Sequence, residues 1–295
     1  MAGKRQVVVH EDDIGMNHGA NLAFADLSER GICTSGAVMV PCPWFLEIAE
    51  MQAKNPRLDI GVHLVLTSEF RNYRWRPLTG ASPASGLVDG DGYFWRTAQE
   101  TRAHAHIDAV EAELRAQVAA AKAAGIDITH IDGHMFTVLC PEYIDIYVRL
   151  GREENVPDLL VRQDAAYGNM VEGPEVSAAV AEAESAGRPV FDIVLETPWR
   201  RGASVESDYQ KLLDRIPPAG LAYMALHFNA PGEIDAIAAH EKGIRPAEYA
   251  LFRSGFITER LAAMNCETIG MRFLRDRMRS AKGSAKSAAA RGRMA

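Results

Sequence analysis

The sequence predicts an α/β fold of parallel strands joined by helices. Short apolar runs alternate with helix-length segments along most of the chain, as in successive βαβ units. Many runs end abruptly in acid, imidazole or guanidinium side chains. Ligating groups gathered at the carboxyl ends of parallel strands are how α/β barrels build active sites. No GxGxxG or Walker-type loop occurs, which argues against the nucleotide-binding version of the fold. The alternation alone suits a closed barrel or an open doubly wound sheet equally well.

The elements follow in order. Val7 to Val9 is the first strand run and Asn21 to Arg30 reads as a helix stopped by Gly31. Ala37 to Val40 is a second run, closed by the turn at Pro41 and Pro43, and Phe45 to Lys54 reads as helix. Leu58 to Leu66 is a third run. Phe70 to Trp95 breaks the rhythm with Gly, Pro and aromatics, a long connection of the kind that carries function. His106 to Ala124 is the clearest helix, with Ile107, Val110, Leu114, Val118 and Ala121 on one face and Gly125 at its end. Later runs are Ile126 to Ile131, Leu159 to Arg162, Val190 to Leu195, Leu221 to Phe228 and Glu267 to Met271. Residues 1–279 read as one domain, and 280–295, rich in Ala, Lys, Ser and Arg, as a disordered basic tail.

Composition narrows the function. The 295 residues are 47% hydrophobic and 24% charged, enough for a full core. A net charge of −7 disfavours nucleic acid as a partner. Cys33, Cys42, Cys140 and Cys266 form no CxxC pair and read as reduced core thiols. No run is long enough to span a membrane, and no signal-type segment precedes the first strand. A cytoplasmic location follows by default.

Three segments carry metal-type ligands: VVVHEDD (Val7 to Asp13), IGVHL (Ile60 to Leu64) and ITHIDGH (Ile128 to His134). One Asp and two His from three strands suit a divalent cation. Taken alone, Glu11, Asp12 and Asp13 read first as acids at a helix start, and strand alternation keeps all three from sharing one site. His130, Asp132 and His134 fall on one side of an extended chain. Asp132 reads either as a substrate contact or as an acceptor that orients a histidine. Arg162, Glu196 and His227 end further runs. Trp75 and Trp95, with Tyr73 and Tyr93, offer flat faces for a sugar or for packing the long loop.

These motifs resemble the YdjC-like (ChbG/HpnK) carbohydrate deacetylase family. HEDDIG (His10 to Gly15), RGICTS (Arg30 to Ser35), GVHL (Gly61 to Leu64) and THIDGH (Thr129 to His134) match its motifs in order. Pro77 to Gly80 and Asp91 to Trp95 add to the likeness, which extends over Val7 to Arg275. The resemblance implies a distorted TIM-like (β/α) barrel and hydrolysis of the acetyl amide of an N-acetylated sugar. It implies Asp13, His63 and His134 as metal ligands, Asp12 as general base and His227 as acid. One divalent ion is expected, with zinc suiting the donors better than magnesium or manganese. Arg162, Trp75, Trp95 and Asp132 are the expected substrate contacts, a small carbohydrate the partner, and a homodimer the assembly. His10 and Glu11 stand where the family has Asn and Ala. Phe136 and Val138 stand where it has further histidines, and the late motif reads His227-Phe-Asn-Ala-Pro. Two other readings use the same residues: a non-haem Fe(II) oxygenase, and a metal- or carbohydrate-binding relative without turnover.

Overall fold

The computed structural model describes residues 4–162, 172–200 and 202–292, with side chains as far as residue 281. Among the described residues, seven strands lie in one parallel sheet: β1 (Arg5–Ile14), β2 (Ser35–Val38), β3 (Ile60–Leu64), β4 (Ile128–Gly133), β5 (Ile193–Glu196), β6 (Gly220–Leu226) and the two-residue β7 (Glu267–Thr268). The order is β4-β3-β2-β1-β6-β5, with β7 pairing the start of β1. The run expected at Leu159 to Arg162 closes the sheet. Ile131 of β4 bridges Asp158, and Val161 bridges Phe191 just before β5. Leu159 and Arg162 donate their amides to Ile131 and Phe191 respectively. Both edges are thereby joined, and the sheet is a distorted TIM-like barrel in a single domain.

The strands are continuous hydrophobic runs because they are covered on both faces. Val7, Val8 and Val9 of β1 and Ala222 to Leu226 of β6 are almost fully buried. The helices are α1 (His18–Glu29), α2 (Phe45–Lys54), α3 (Ala98–His104), α4 (Ile107–Ala123), α5 (Ile144–Glu153), α6 (Pro174–Ser185), α7 (Val205–Leu213), α8 (Ile234–Ile237), α9 (Ile244–Arg253), α10 (Phe256–Ala263) and α11 (Met271–Gly292). In α4, Val110, Leu114, Val118 and Ala121 form the buried stripe, and Gly125 follows at φ +84°. Asn17, rather than an acid of the HEDD motif, caps α1 by accepting from the Ala20 amide. The acids instead complete β1, so the helix-start reading of Glu11 to Asp13 is corrected.

The long connection after β3 packs its own aromatics. Trp75 donates Nε1–H to the Thr67 carbonyl at 2.8 Å, and Trp95 donates to Gly86 at 2.7 Å while stacking on His104 at 4.4 Å. All four cysteines are buried and free. The tail expected to be disordered continues α11 as helical backbone to Gly292. Its Ala, Lys and Arg residues favour helix, and the buried Met271, Leu274 and Met278 anchor the preceding turns. Among the described residues, no helix is long and apolar enough to cross a membrane.

Candidate active site

A pocket of about 330 Å³ opens at the carboxyl ends of the strands. Asp12 and Asp13 both line it, although neighbouring residues of a regular strand face opposite ways. The reason is local. Asp13 sits at φ +62°, and the β1–β2 register shifts between Glu11 and Ile14. This bulge turns Asp13 inward beside Asp12. Glu11, before the bulge, is fully buried and does not line the pocket.

Asp13, His63 and His134 bring ligand atoms within 4.8 Å of one another. Asp13 Oδ1 lies 3.1 Å from His134 Nδ1 and 3.5 Å from His63 Nε2. The other ring nitrogens are already held. His63 donates Nδ1–H to Asp132 Oδ1 at 2.8 Å, and His134 donates Nε2–H to Glu69 Oε2 at 2.9 Å. Each imidazole therefore turns its remaining ring nitrogen toward Asp13. Arg245 of α9 donates to Asp13 Oδ2 at 2.7 Å, leaving Oδ1, which is buried and has no hydrogen-bond partner.

This donor set fits a divalent cation. Two ring nitrogens and a carboxylate oxygen converge, and each imidazole is oriented by a carboxylate, as in metal sites generally. With metal–ligand bonds of about 2.0–2.2 Å, ligands around a tetrahedral or octahedral ion stand about 2.8–3.6 Å apart, which matches both separations. Two imidazoles and one carboxylate suit zinc-type ions better than magnesium.

Burial works against the charged form of Asp13, but Arg245 and His134 outweigh it and hold the carboxyl well below its usual range. Burial would likewise lower His134, yet Glu69 and Asp13 lift it to about 10. Burial pushes Asp12 up, with Asp132 and Asp13 adding to the effect against His63. Burial and the cation of Arg245 push His227 well down.

His227 follows β6 and turns Nε2 to within 3.8 Å of Asp12 Oδ2. Its Nδ1 lies 2.8 Å from the Thr197 hydroxyl, which donates to Glu248 Oε1 at 2.8 Å. Because the Thr197 proton goes to Glu248, the hydroxyl accepts from His227 Nδ1–H and leaves Nε2 free toward the pocket.

The other expected contacts are placed differently. Asp132 lies beneath the ligands and orients His63. Trp75 is buried and packs its ring edge to face with His134 at 5.9 Å. Trp95 does not line the pocket. Arg162 lies beside the amino ends of β5 and β6, paired with Glu184 and Asp192. Its strand segment ends low on the barrel, so the rule that strand ends share one rim misplaces it. Of the two departures after HIDGH, Phe136 lines the pocket and Val138 packs under Gly133.

Sequence reasoning missed Glu69, Trp199, Arg245 and Glu248. Trp199 lies three residues beyond β5, contacts the His227 ring at 4.7 Å and donates to Glu196. The strand-end pattern reached Glu196 and could have been extended to it. Arg245 and Glu248 lie on α9, where no strand-end signal exists.

Residues 6–263 match the family described as YdjC-like protein. The chain belongs to that family. It is 39% identical over 150 residues to a carbohydrate deacetylase of Thermus thermophilus, covering 51% of each chain. It is 32% identical over 177 residues to a carbohydrate deacetylase of Brevibacillus brevis, covering 60% of this chain and 66% of that one. The chain thus spans about half to two-thirds of the length of these curated relatives. A solved structure from Enterococcus faecalis V583, named for cellobiose-phosphate cleavage, shares the fold of this YdjC-like chain. Its TM-score is 0.75 at 21% identity, over 92% of this chain and 99% of that one.

Proposed function

We propose that this YdjC-like chain is a metal-dependent hydrolase that removes the acetyl group from an N-acetylated sugar or short oligosaccharide. The observation that carries the reading is the meeting of Asp13, His63 and His134 beside Asp12 and His227 in one pocket. The deacetylase names of two relatives support the reaction class.

Asp13, His63 and His134 would hold one divalent ion, zinc by donor type. Such an ion supplies Lewis acidity toward a carbonyl oxygen and toward water. Asp12 is the general base: it is buried at the pocket floor, and its raised affinity for protons suits it to take one from water. His227 is the acid: its Nε2, bare at rest, takes over the proton that Asp12 draws from water and delivers it to the departing nitrogen. Thr197 and Glu248 keep its Nδ1–H engaged, so Nε2 alone faces the reacting groups. The 3.8 Å between Asp12 Oδ2 and His227 Nε2 supports a shared proton path. Water gains the acyl group and loses a proton to Asp12, which passes it to His227 Nε2; the C–N bond breaks and the amine leaves carrying that proton. Trp199 and Phe136 supply apolar faces for the sugar ring.

The test is acetate release from N-acetylglucosamine and its oligomers by the zinc-loaded chain. Turnover that disappears in Asp13→Ala and His134→Ala supports the proposal. Equal turnover in chelator-stripped protein and in both variants would end it.

A further inference from the structure

A second cluster lies deeper in the barrel, below the pocket. His10 of β1 and His130 and Asp132 of β4 place three ligand atoms within 4.8 Å of one another. β1 and β4 are separated by two strands in the sheet, so these groups meet across the interior. His10 and His130 are fully buried and Asp132 is 1% exposed.

His130 decides the chemistry. Its Nδ1 lies 2.9 Å from the Thr129 hydroxyl, and that hydroxyl gives its own proton to Asp59 Oδ1 at 2.5 Å. The hydroxyl therefore accepts from Nδ1–H, which leaves Nε2 as a bare lone pair. That atom is buried without a hydrogen-bond partner and faces Asp132 Oδ2 at 3.6 Å. A lone pair set against a carboxylate oxygen in a dry interior is repulsive and costly.

His10 also turns an unpartnered ring nitrogen inward. Its Nδ1 is 2.7 Å from Ser35 Oγ. Its Nε2 lies 3.1 Å from Asp132 Oδ2 and 3.2 Å from Asp12 Oδ1. Both distances are short enough for a hydrogen bond, yet Nε2 has no partner in hydrogen-bond geometry. Both oxygens lie off the axis along which the nitrogen points. Ligands that share an ion are off-axis from one another in just this way, because each points at the ion and not at its neighbour. The separations of 3.1 and 3.6 Å to Asp132 Oδ2 fall within the same span of about 2.8–3.6 Å expected around a metal ion.

Space points the same way. Gly61 leaves room for the His130 ring, since a Cβ there would stand 2.4–2.6 Å from three of its atoms.

We infer that His10 Nε2, His130 Nε2 and Asp132 Oδ2 form an inner site for a second divalent cation of the zinc type, distinct from the site at Asp13. Tyr223 braces it by donating to Asp132 Oδ2 at 2.8 Å. Asp132 joins the two sites, because its other oxygen orients His63. The inner ligands are closed off from the pocket, so the site is structural and binds no substrate. The inference does not depend on deacetylation.

The test is a metal count on the full chain, stripped with chelator, reloaded with Zn2+ and freed of excess. Metal per chain is read by plasma mass spectrometry. His10→Asn and His130→Gln are each expected to bind one ion fewer than the unaltered chain. His134→Ala reports the outer site separately, so loss of either ion is assigned to its own site. Metal counts unchanged in both His10→Asn and His130→Gln would overturn the inference. Should neither variant fold, anomalous scattering at the zinc edge from crystals of the unaltered chain decides. A peak bounded by the three ligand atoms supports the site, and its absence there refutes it.

Discussion

Asp132 Oδ1 stands 2.8 Å from His63 Nδ1, and the two residues are direct partners in the β3–β4 ladder. The register of two neighbouring strands thereby sets the tautomer of a candidate metal ligand. Asp132→Asn keeps the shape but weakens the acceptor. Such partners typically account for about 10–100-fold in metal affinity, and a loss of that size is expected in zinc competition with a chromophoric chelator. Unchanged affinity would mean that His63 is oriented by something else.

Arg245→Met removes the guanidinium that holds Asp13 Oδ2 and also pairs with Glu241. Breaking a buried ion pair on one side costs about 3–5 kcal/mol. Urea denaturation of the metal-free chain is expected to show a loss of that order. Added Zn2+ should recover part of it, because the cation offsets the charge left on Asp13.

Glu248 gives a pH dependence. Burial outweighs the hydrogen bonds from Tyr209, the His227 amide and Thr197, and raises its carboxyl from the ordinary 4.5 to about 7. Between those two values the folded chain binds more protons than the unfolded one. Stability from this group is therefore full below about pH 4.5 and is lost as pH rises through 7. The shift corresponds to roughly 3 kcal/mol. Melting of the native chain between pH 5 and pH 8 should show this downward slope, and Glu248→Gln should flatten it. An equal slope in both proteins would assign the effect elsewhere.

Gly61→Ala pushes a methyl group into the His130 ring, at 2.4–2.6 Å. Overpacking of this kind costs about 1–3 kcal/mol. A lower melting temperature is expected, together with a weaker stabilisation by Zn2+, because His130 is displaced.

Much of the fold was legible before the structure. The apolar period of α4, the Gly125 stop and the strand runs are local signals that survive in the chain itself, and α2 begins and ends at the expected residues. The aromatic loop was visible as a break in rhythm. Its tryptophans were read toward substrate, but their indole N–H groups are spent on loop carbonyls. The tail was read from composition alone, which does not register the helix that runs into it from Met271.

The sequence by itself determined which segments are strands and helices, and that acids and imidazoles end several of those strands. Periodicity and residue chemistry are properties of neighbours along the chain, so they need no fold to be seen. Only the tertiary structure decided that residues 157–162 close the barrel, that a bulge swings Asp13 in beside Asp12, and that Arg245 and Glu248 arrive from a helix. It alone set His10 against His130 and Asp132. Those contacts join residues distant in sequence, and their distances depend on strand order, register and one left-handed φ.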